Sequence, residues 1–253
     1  MNDRIRHIAR VRFPLAARLV NLFAVTMRSH SSPASEILAF PFSSEEREAA
    51  ARALAAGRVM IYPTETSYAL GGNALDGALV EAVFRLKGRQ AEKPLLLLID
   101  PPLHLPRYTR RVRPAAHSLM ARFWPGPLTL VFEAGADLPA HLSDRRGTVA
   151  LRCSSHAAVA ELLALGGVPL IGTSANASGQ AAASEVSGAL AAFGAKVALA
   201  VDGGPTPGGP PSTVLDTTVR PFRVLRDGAI PADALRAALR REYPNEAPQP
   251  AGP

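Results

Sequence analysis

The sequence predicts an α/β fold, and three observations carry that prediction. Short apolar runs at 58–61, 94–100 and 168–172 have strand length without alternation, as strands covered on both faces do. Segments of helical period stand between and around them, at 43–56, 76–86 and 113–123. With 253 residues and 47% hydrophobic content, the chain can build one substantial domain with a full core.

Taken in order, residues 1–40 read as a poorly ordered Arg-rich leader that passes through Ser29-His30-Ser31-Ser32-Pro33. Six arginines against two acids before Phe40 give it +4 of the net charge of +7. Its first thirty residues suit an amphipathic surface helix or a transit peptide, but the simpler reading is that Met27 is the true start and the Arg-rich piece before it a mis-called or dispensable leader. The domain spans 41–242. It opens with a helix at 43–56, where Ser43 and Glu46 form a capping-box pair and Gly57 ends the helix. A strand at 58–61 runs into a polar turn at 62–72. The helix at 76–86 packs through Leu79, Val83 and Leu86, which puts Lys87 in its last turn and Gly88 just beyond it. After the strand at 94–100, Pro101, Pro102 and Pro106 mark a loop before the helix at 113–123.

Trp124-Pro125-Gly126-Pro127 turns into a strand at 128–132. A strand at 148–153 leads to a helix that ends at Leu165, capped by Ser154 or Ser155 and stopped by Gly166-Gly167. The strand at 168–172 feeds a second polar turn, 173–179. Ser184 caps a short helix to Phe193, and 197–201 is a strand. The Pro/Gly loop at 205–211 has the composition of a lid or of a passive linker. Residues 212–216 and 222–226 read as a closing strand pair, 231–241 as the last helix, and 243–253 as a loose Pro-rich tail.

Several function classes fall away. The single cysteine, Cys153, excludes an intramolecular disulfide and a multi-cysteine metal site, and makes a cytoplasmic address the default. No apolar run reaches membrane-spanning length. Neither a P-loop, nor Gly-x-Gly-x-x-Gly after the first strand, nor His-Glu-x-x-His occurs, and the six scattered histidines offer no protein-built metal centre. Gly172-Thr173-Ser174-Ala175-Asn176 begins like a nucleophile elbow but ends in Asn where a hydrolase has Gly. The net charge of +7 favours an anionic partner: nucleotide, phosphate or RNA.

The two polar turns each leave a buried strand, and such turns bring hydroxyls and backbone N–H groups to a sheet edge, where open α/β folds bind ligands. Lys87, Arg89 and Lys93 arrive within one short loop beside the first turn. Lys87 alone could simply complement the helix dipole. An Arg fork and a second Lys beside it suit a polyphosphate better.

Pro63-Thr64-Glu65-Thr66 with Tyr68, Lys87-x-Arg89, Lys93-Pro94-Leu95, Trp124-Pro125-Gly126-Pro127-Leu128-Thr129, Val149-Ala150-Leu151-Arg152, Thr173-Ser174-Ala175-Asn176-x-Ser178-Gly179, Ser212-Thr213-Val214 and Leu225-Arg226-x-Gly228 together resemble the YrdC/TsaC family. Each piece is weak alone; the ordered set, spread over about 43–230, is specific. The resemblance implies a YrdC-like twisted mixed sheet flanked by helices around a large basic cavity, in the short single-domain form. It implies threonylcarbamoyl-AMP synthase activity, a nucleotidyl transfer joining L-threonine, bicarbonate and ATP and releasing pyrophosphate. Mg2+ would ride on the ATP phosphates. Partners would be tRNA or double-stranded RNA and the downstream proteins that pass the threonylcarbamoyl group to tRNA.

By the same resemblance Lys87, Arg89, Ser174 and Asn176 are catalytic; Arg89, Lys93, Thr129, Ser174 and Arg226 bind ATP; Thr66, Tyr68, Arg152 and Ser212 bind threonine. Read singly, Ser174 and Asn176 equally suit turn amides, Arg152 a solvent-facing strand position and Thr66 a β-propensity choice. A non-catalytic RNA- or nucleotide-binding relative is the alternative function.

Overall fold

Eleven short strands and six helices follow one another in the residues that the computed structural model describes: 35–88, 95–100, 102–177 and 179–248. In chain order they are β1 (Glu36–Ala39), α1 (Ser44–Ala55), β2 (Met60–Pro63), β3 (Tyr68–Gly71), α2 (Gly77–Lys87), β4 (Leu96–Leu98), α3 (Pro114–Phe123) and β5 (Leu128–Glu133). Then come β6 (Thr148–Arg152), α4 (Ala157–Gly166), β7 (Leu170–Ile171), β8 (Thr173–Ser174), α5 (Val186–Phe193), β9 (Leu199–Asp202), β10 (Thr213–Asp216), β11 (Arg223–Arg226) and α6 (Ala232–Leu239).

The strands form two sheets, ordered β1-β9-β2-β3-β8 and β11-β10-β5-β6-β4-β7. Both are mixed: β9 runs parallel to β1 and β2 while β3 is antiparallel to β2 and β8, and β5 is parallel to β10 but antiparallel to β6. The expected mixed sheet is thus divided, because the chain changes sheet at Gly172. On one side β7 pairs with β4, on the other β8 pairs with β3, and between them Gly172 N–H donates to Leu96 O at 2.8 Å. This crossing brings the end of β8 beside the start of β3.

Period-two alternation sorts the core. Met60 and Tyr62 of β2 pack with Leu38, Leu54, Val159 and Leu199, while Ile61 faces the other way, into a cluster with Leu70, Val83 and Leu151. Gly71 is required by close approach: a Cβ there would lie 1.8 Å from the Ile171 carbonyl oxygen. The Tyr62 hydroxyl donates to that same oxygen.

The helix termini divide into those that the sequence predicts and those that it does not. The capping box of α1 is present, Glu46 N donating to Ser43 Oγ at 3.3 Å and Ser43 N to Glu46 Oε2 at 2.8 Å. Asp76 caps α2, which ends at Gly88 with φ +55°, a left-handed conformation that costs glycine little. The buried face of α2 is Leu79, Val80, Val83 and Lys87; Leu86 packs against the same core cluster as predicted but is only half-buried, because the helical stripe from residue 79 continues to 83 and 87. The cap of α4 is His156 rather than Ser154 or Ser155, and that of α5 is Glu185, without a side-chain bond, rather than Ser184.

Both predicted chain ends need correction. Glu36–Ala39, assigned to the leader, is strand β1, paired in parallel with β9. Glu246 and Ala247, assigned to the loose tail, are buried, and Phe222 N donates to Glu246 O at 3.0 Å. The rest of the leader, 1–34, and residues 249–253 of the tail lie outside the described residues. Residues 68–71, taken as part of a polar turn, complete a β-hairpin.

Candidate functional site

Nine of the eleven predicted site residues are described, and they fall into three contacting clusters and one anchoring side chain. The first cluster joins the end of α2 to the turn after β8. Lys87 Nζ donates to Ser174 O at 2.8 Å, Asn176 O at 2.6 Å and Asn176 Oδ1 at 2.9 Å. Ser174 Oγ also donates to Asn176 Oδ1, at 2.6 Å, and the Asn176 amide nitrogen donates to Gln180 O. These bonds fix which way the amide points: oxygen toward Lys87 and Ser174, nitrogen toward Gln180.

The second cluster sits at the β2–β3 hairpin. Arg152, at the end of β6, is 4% exposed, so it is no solvent-facing strand residue. Its Nη2 lies 2.7 Å from Glu65 Oε1 and donates to Thr66 Oγ1 at 3.2 Å; its Nε donates to Gly126 O at 3.3 Å. The Arg152–Glu65 contact is an ion pair without hydrogen-bond alignment, since Oε1 has no directional partner. Glu65 Oε2 accepts from Ser154 Oγ, and Thr66 Oγ1 lies 3.1 Å from Thr64 Oγ1. Among the described residues Arg152 Nη1 has no hydrogen-bond partner, leaving one edge of the guanidinium for an anion.

The third cluster closes the chain of contacts. Thr129 Oγ1 and Ser212 Oγ lie 2.8 Å apart, and Arg226 Nη2 donates to Ser212 O at 2.7 Å and to Ser212 Oγ at 3.0 Å. Residues assigned to ATP and to threonine therefore touch one another here. The turn at 124–127 connects this cluster to the second: Gly126 O accepts from Arg152, and Pro127 O accepts from Thr213 N at 3.0 Å. The first cluster meets the second across β3, where Ala175 N donates to Tyr68 O at 2.8 Å.

Tyr68 itself is turned away from a ligand role for its hydroxyl. Its OH donates to Gly204 O at 2.8 Å and accepts from Gly203 N at 3.2 Å, anchoring the base of the 205–211 loop. Burial pushes this phenol up to about 12, so it is a neutral hydrogen-bonding group at neutral pH. Burial likewise pushes the Cys153 thiol up to about 11, which removes it as a thiolate nucleophile.

Arg89 and Lys93 lie outside the described residues. Two open hollows, of about 240 and 280 Å3 counting open solvent, are lined by Asp100, Arg107 and Tyr108 and by Arg111, Arg113 and Thr218; neither is bordered by a predicted site residue. The side-chain chemistry is the better guide to the site. Among the described residues no group of three His, Cys, Asp or Glu side chains gathers. Hydroxyl, amide, ammonium and guanidinium groups dominate the three clusters, a set that complements anions. Glu65 is the functional residue the sequence reading passed over: it stands inside the quoted Pro63-Thr64-Glu65-Thr66 motif, and a carboxylate in a turn facing an Arg-terminated strand is the signal for a buried pair.

Fold and site together define an α/β protein whose clustered polar side chains complement anions in charge and hydrogen bonding. A family model described as "Telomere recombination" matches residues 52–228, and the chain belongs to that Sua5/YciO/YrdC family. It is 36% identical over 183 residues to the threonylcarbamoyl-AMP synthase of Pyrococcus abyssi, a match covering 72% of this chain and 54% of that protein. The chain thus spans about half the length of that relative. With the threonylcarbamoyl-AMP synthase of Thiobacillus denitrificans it shares 38% identity over 178 residues, 69% of this chain and 94% of that one. The crystal structure of P. abyssi Sua5 complexed with L-threonine is similar at a TM-score of 0.76 and 33% identity, covering 81% of this chain and 60% of that chain.

Proposed function

We propose that this protein is an L-threonylcarbamoyladenylate synthase acting in the cytoplasm, making threonylcarbamoyl-AMP and pyrophosphate for tRNA modification. What carries the reading is the adjacency of two unlike polar clusters on neighbouring strands: a half-engaged buried guanidinium beside a threonine hydroxyl, and a hydroxyl–amide turn gripped by a lysine. The first suits an amino-acid carboxylate; the second includes Lys87, two positions before Arg89 in the sequence, and suits phosphate.

The chemistry runs in two steps. The threonine amine takes up bicarbonate with loss of water to give a carbamate. A carbamate oxygen then attacks the α-phosphorus of ATP as the bond to pyrophosphate breaks. Neither step needs a protein nucleophile; both need positioning and charge neutralisation. Arg152, Thr66 and Ser212 hold threonine, with Tyr68 shaping the pocket wall. Arg89, Lys93, Thr129 and Arg226 hold ATP, while Lys87, Ser174 and Asn176 set the reacting phosphate against the carbamate. Mg2+ enters on the ATP phosphates, since the side chains at hand complement anions rather than a bare cation. Product passes to tRNA through downstream threonylcarbamoyl transfer proteins.

The deciding measurement is pyrophosphate release by purified protein. Release is expected only when threonine, bicarbonate and ATP are all present, and Arg89→Ala is expected to lower it by about 100-fold, the cost of removing one charge-stabilising group, with unchanged circular dichroism. Release indifferent to threonine would reject the reading. Salt-sensitive RNA binding without any release would favour the non-catalytic alternative.

A further inference from the structure

We infer that Lys87 is a positioning residue, acting on the nucleotide through the turn at 174–176 rather than by gripping phosphate itself. The inference rests on the synthase reading and refines one residue's role within it. An ammonium has three N–H bonds. Ser174 O, Asn176 O and Asn176 Oδ1, at 2.8, 2.6 and 2.9 Å, can take all three. Two of these acceptors are backbone carbonyls, so the lysine holds the path of the chain as well as one side chain. It also lies at the end of α2, 9% exposed, with Leu79, Val80 and Val83 on the same buried face, so its stem is fixed by packing.

The consequence for the site follows from hydrogen-bond direction. With Asn176 Oδ1 accepting from both Lys87 and Ser174, the Ser174 proton is committed inward, and the serine oxygen presents lone pairs outward. Take the lysine away, and only Ser174 and Gln180 remain to orient the amide. The two carbonyls it held are then left without that donor. A misplacement of about 1 Å in such a turn costs on the order of 100-fold in rate. Arginine cannot substitute, because its planar fork spreads its donors over three nitrogens while these oxygens converge on one.

A double-mutant cycle tests this. Lys87→Met, Asn176→Ala and the double variant are compared with wild type by kcat/KM for ATP in pyrophosphate release and by ATP affinity in calorimetry; threonine affinity serves as a control for folding. If Lys87 works through Asn176, each single variant loses about 100-fold and the double loses no more than about threefold beyond the worse single, as residues acting as one unit do. Lys87→Arg is expected to lose at least about tenfold despite keeping its charge, while threonine affinity stays within about threefold of wild type. Losses that multiply in the double variant, or a Lys87→Arg variant with wild-type turnover, would overturn the inference and return Lys87 to direct phosphate contact. Should Lys87→Met fail to fold, Lys87→Gln takes its place in the cycle. A wild type that binds ATP but releases no pyrophosphate would reject the synthase reading, and the cycle on ATP affinity would still decide the role of Lys87. A wild type without ATP binding would overturn both.

Discussion

The buried charge of Arg152 is compensated by Glu65. A guanidinium that is 4% exposed has given up most of its water, and the carboxylate 2.7 Å away offsets that loss. Glu65 is tied in turn to Ser154, so the pair is held from both sides. Glu65→Ala should therefore destabilise the protein by about 3 kcal/mol, the usual cost of stranding one partner of a buried pair. Replacing both, as Glu65→Leu with Arg152→Met, should recover most of that stability without recovering threonine binding. Urea unfolding of wild type and the two variants measures the first, calorimetry the second; a Glu65→Ala variant as stable as wild type would show the guanidinium to be solvated. The need for a cation at position 152 was legible in the motif, but its partner was not, because Glu65 and Arg152 are 87 positions apart in sequence and meet only through the fold. The same holds for Lys87, whose three acceptors belong to a turn that reaches it only after the chain has crossed from β7 to β8.

Helix α4 shows why the cap of α1 was readable and its own was not. Ser43 stands alone before α1 with Glu46 three residues on, and the box forms. Before α4, Ser154, Ser155 and His156 compete, and the first is already engaged: its hydroxyl donates to Glu65 and accepts from His156 N. The cap passes to His156, whose Nδ1 accepts from Ala158 N at 3.2 Å and must carry no proton to do so. Burial holds this imidazole below its usual value of 6.5, with the Glu65 carboxylate pulling the other way. The folded chain then resists a proton that the unfolded chain accepts. This contribution to stability is complete above 6.5 and is lost as pH falls through the depressed folded value. His156→Asn keeps a cap acceptor that does not titrate. Its stability should fall less steeply than that of wild type as pH drops below 6.5, since one proton-linked group is gone. Urea midpoints across that range are the check, and parallel curves would mean that the cap does not titrate.

The α/β class, the alternation of strands with helices and the closing pair β10 and β11 were legible because each rests on local patterning. The division into two sheets was not, since strand partners such as β1 with β9 or β5 with β10 lie far apart in sequence. The domain boundaries failed for a related reason. β1 has a single buried residue, Leu38, too little for a period to be seen, and the Pro-rich composition after residue 242 reads as loose. Yet that stretch is bound to the body at several points. Glu246 O accepts from Phe222 N, Pro248 O accepts from Arg236 Nε at 3.0 Å, and the Glu246 carboxylate pairs with Arg220. Tyr243 packs against the main core cluster, and Ala247 is buried within it. Two deletions separate composition from contact. Removing 249–253 should leave stability within about 0.5 kcal/mol of wild type, the usual range for substitutions away from structural features. Removing 243–253 takes away these polar contacts and a half-buried aromatic, about 3 kcal/mol in all. For a domain of this size that is a fall in Tm of about 6–12 °C. Thermal unfolding of the two truncations side by side decides the matter, and equal Tm values would make residues 243–248 the passive tail that their composition suggests.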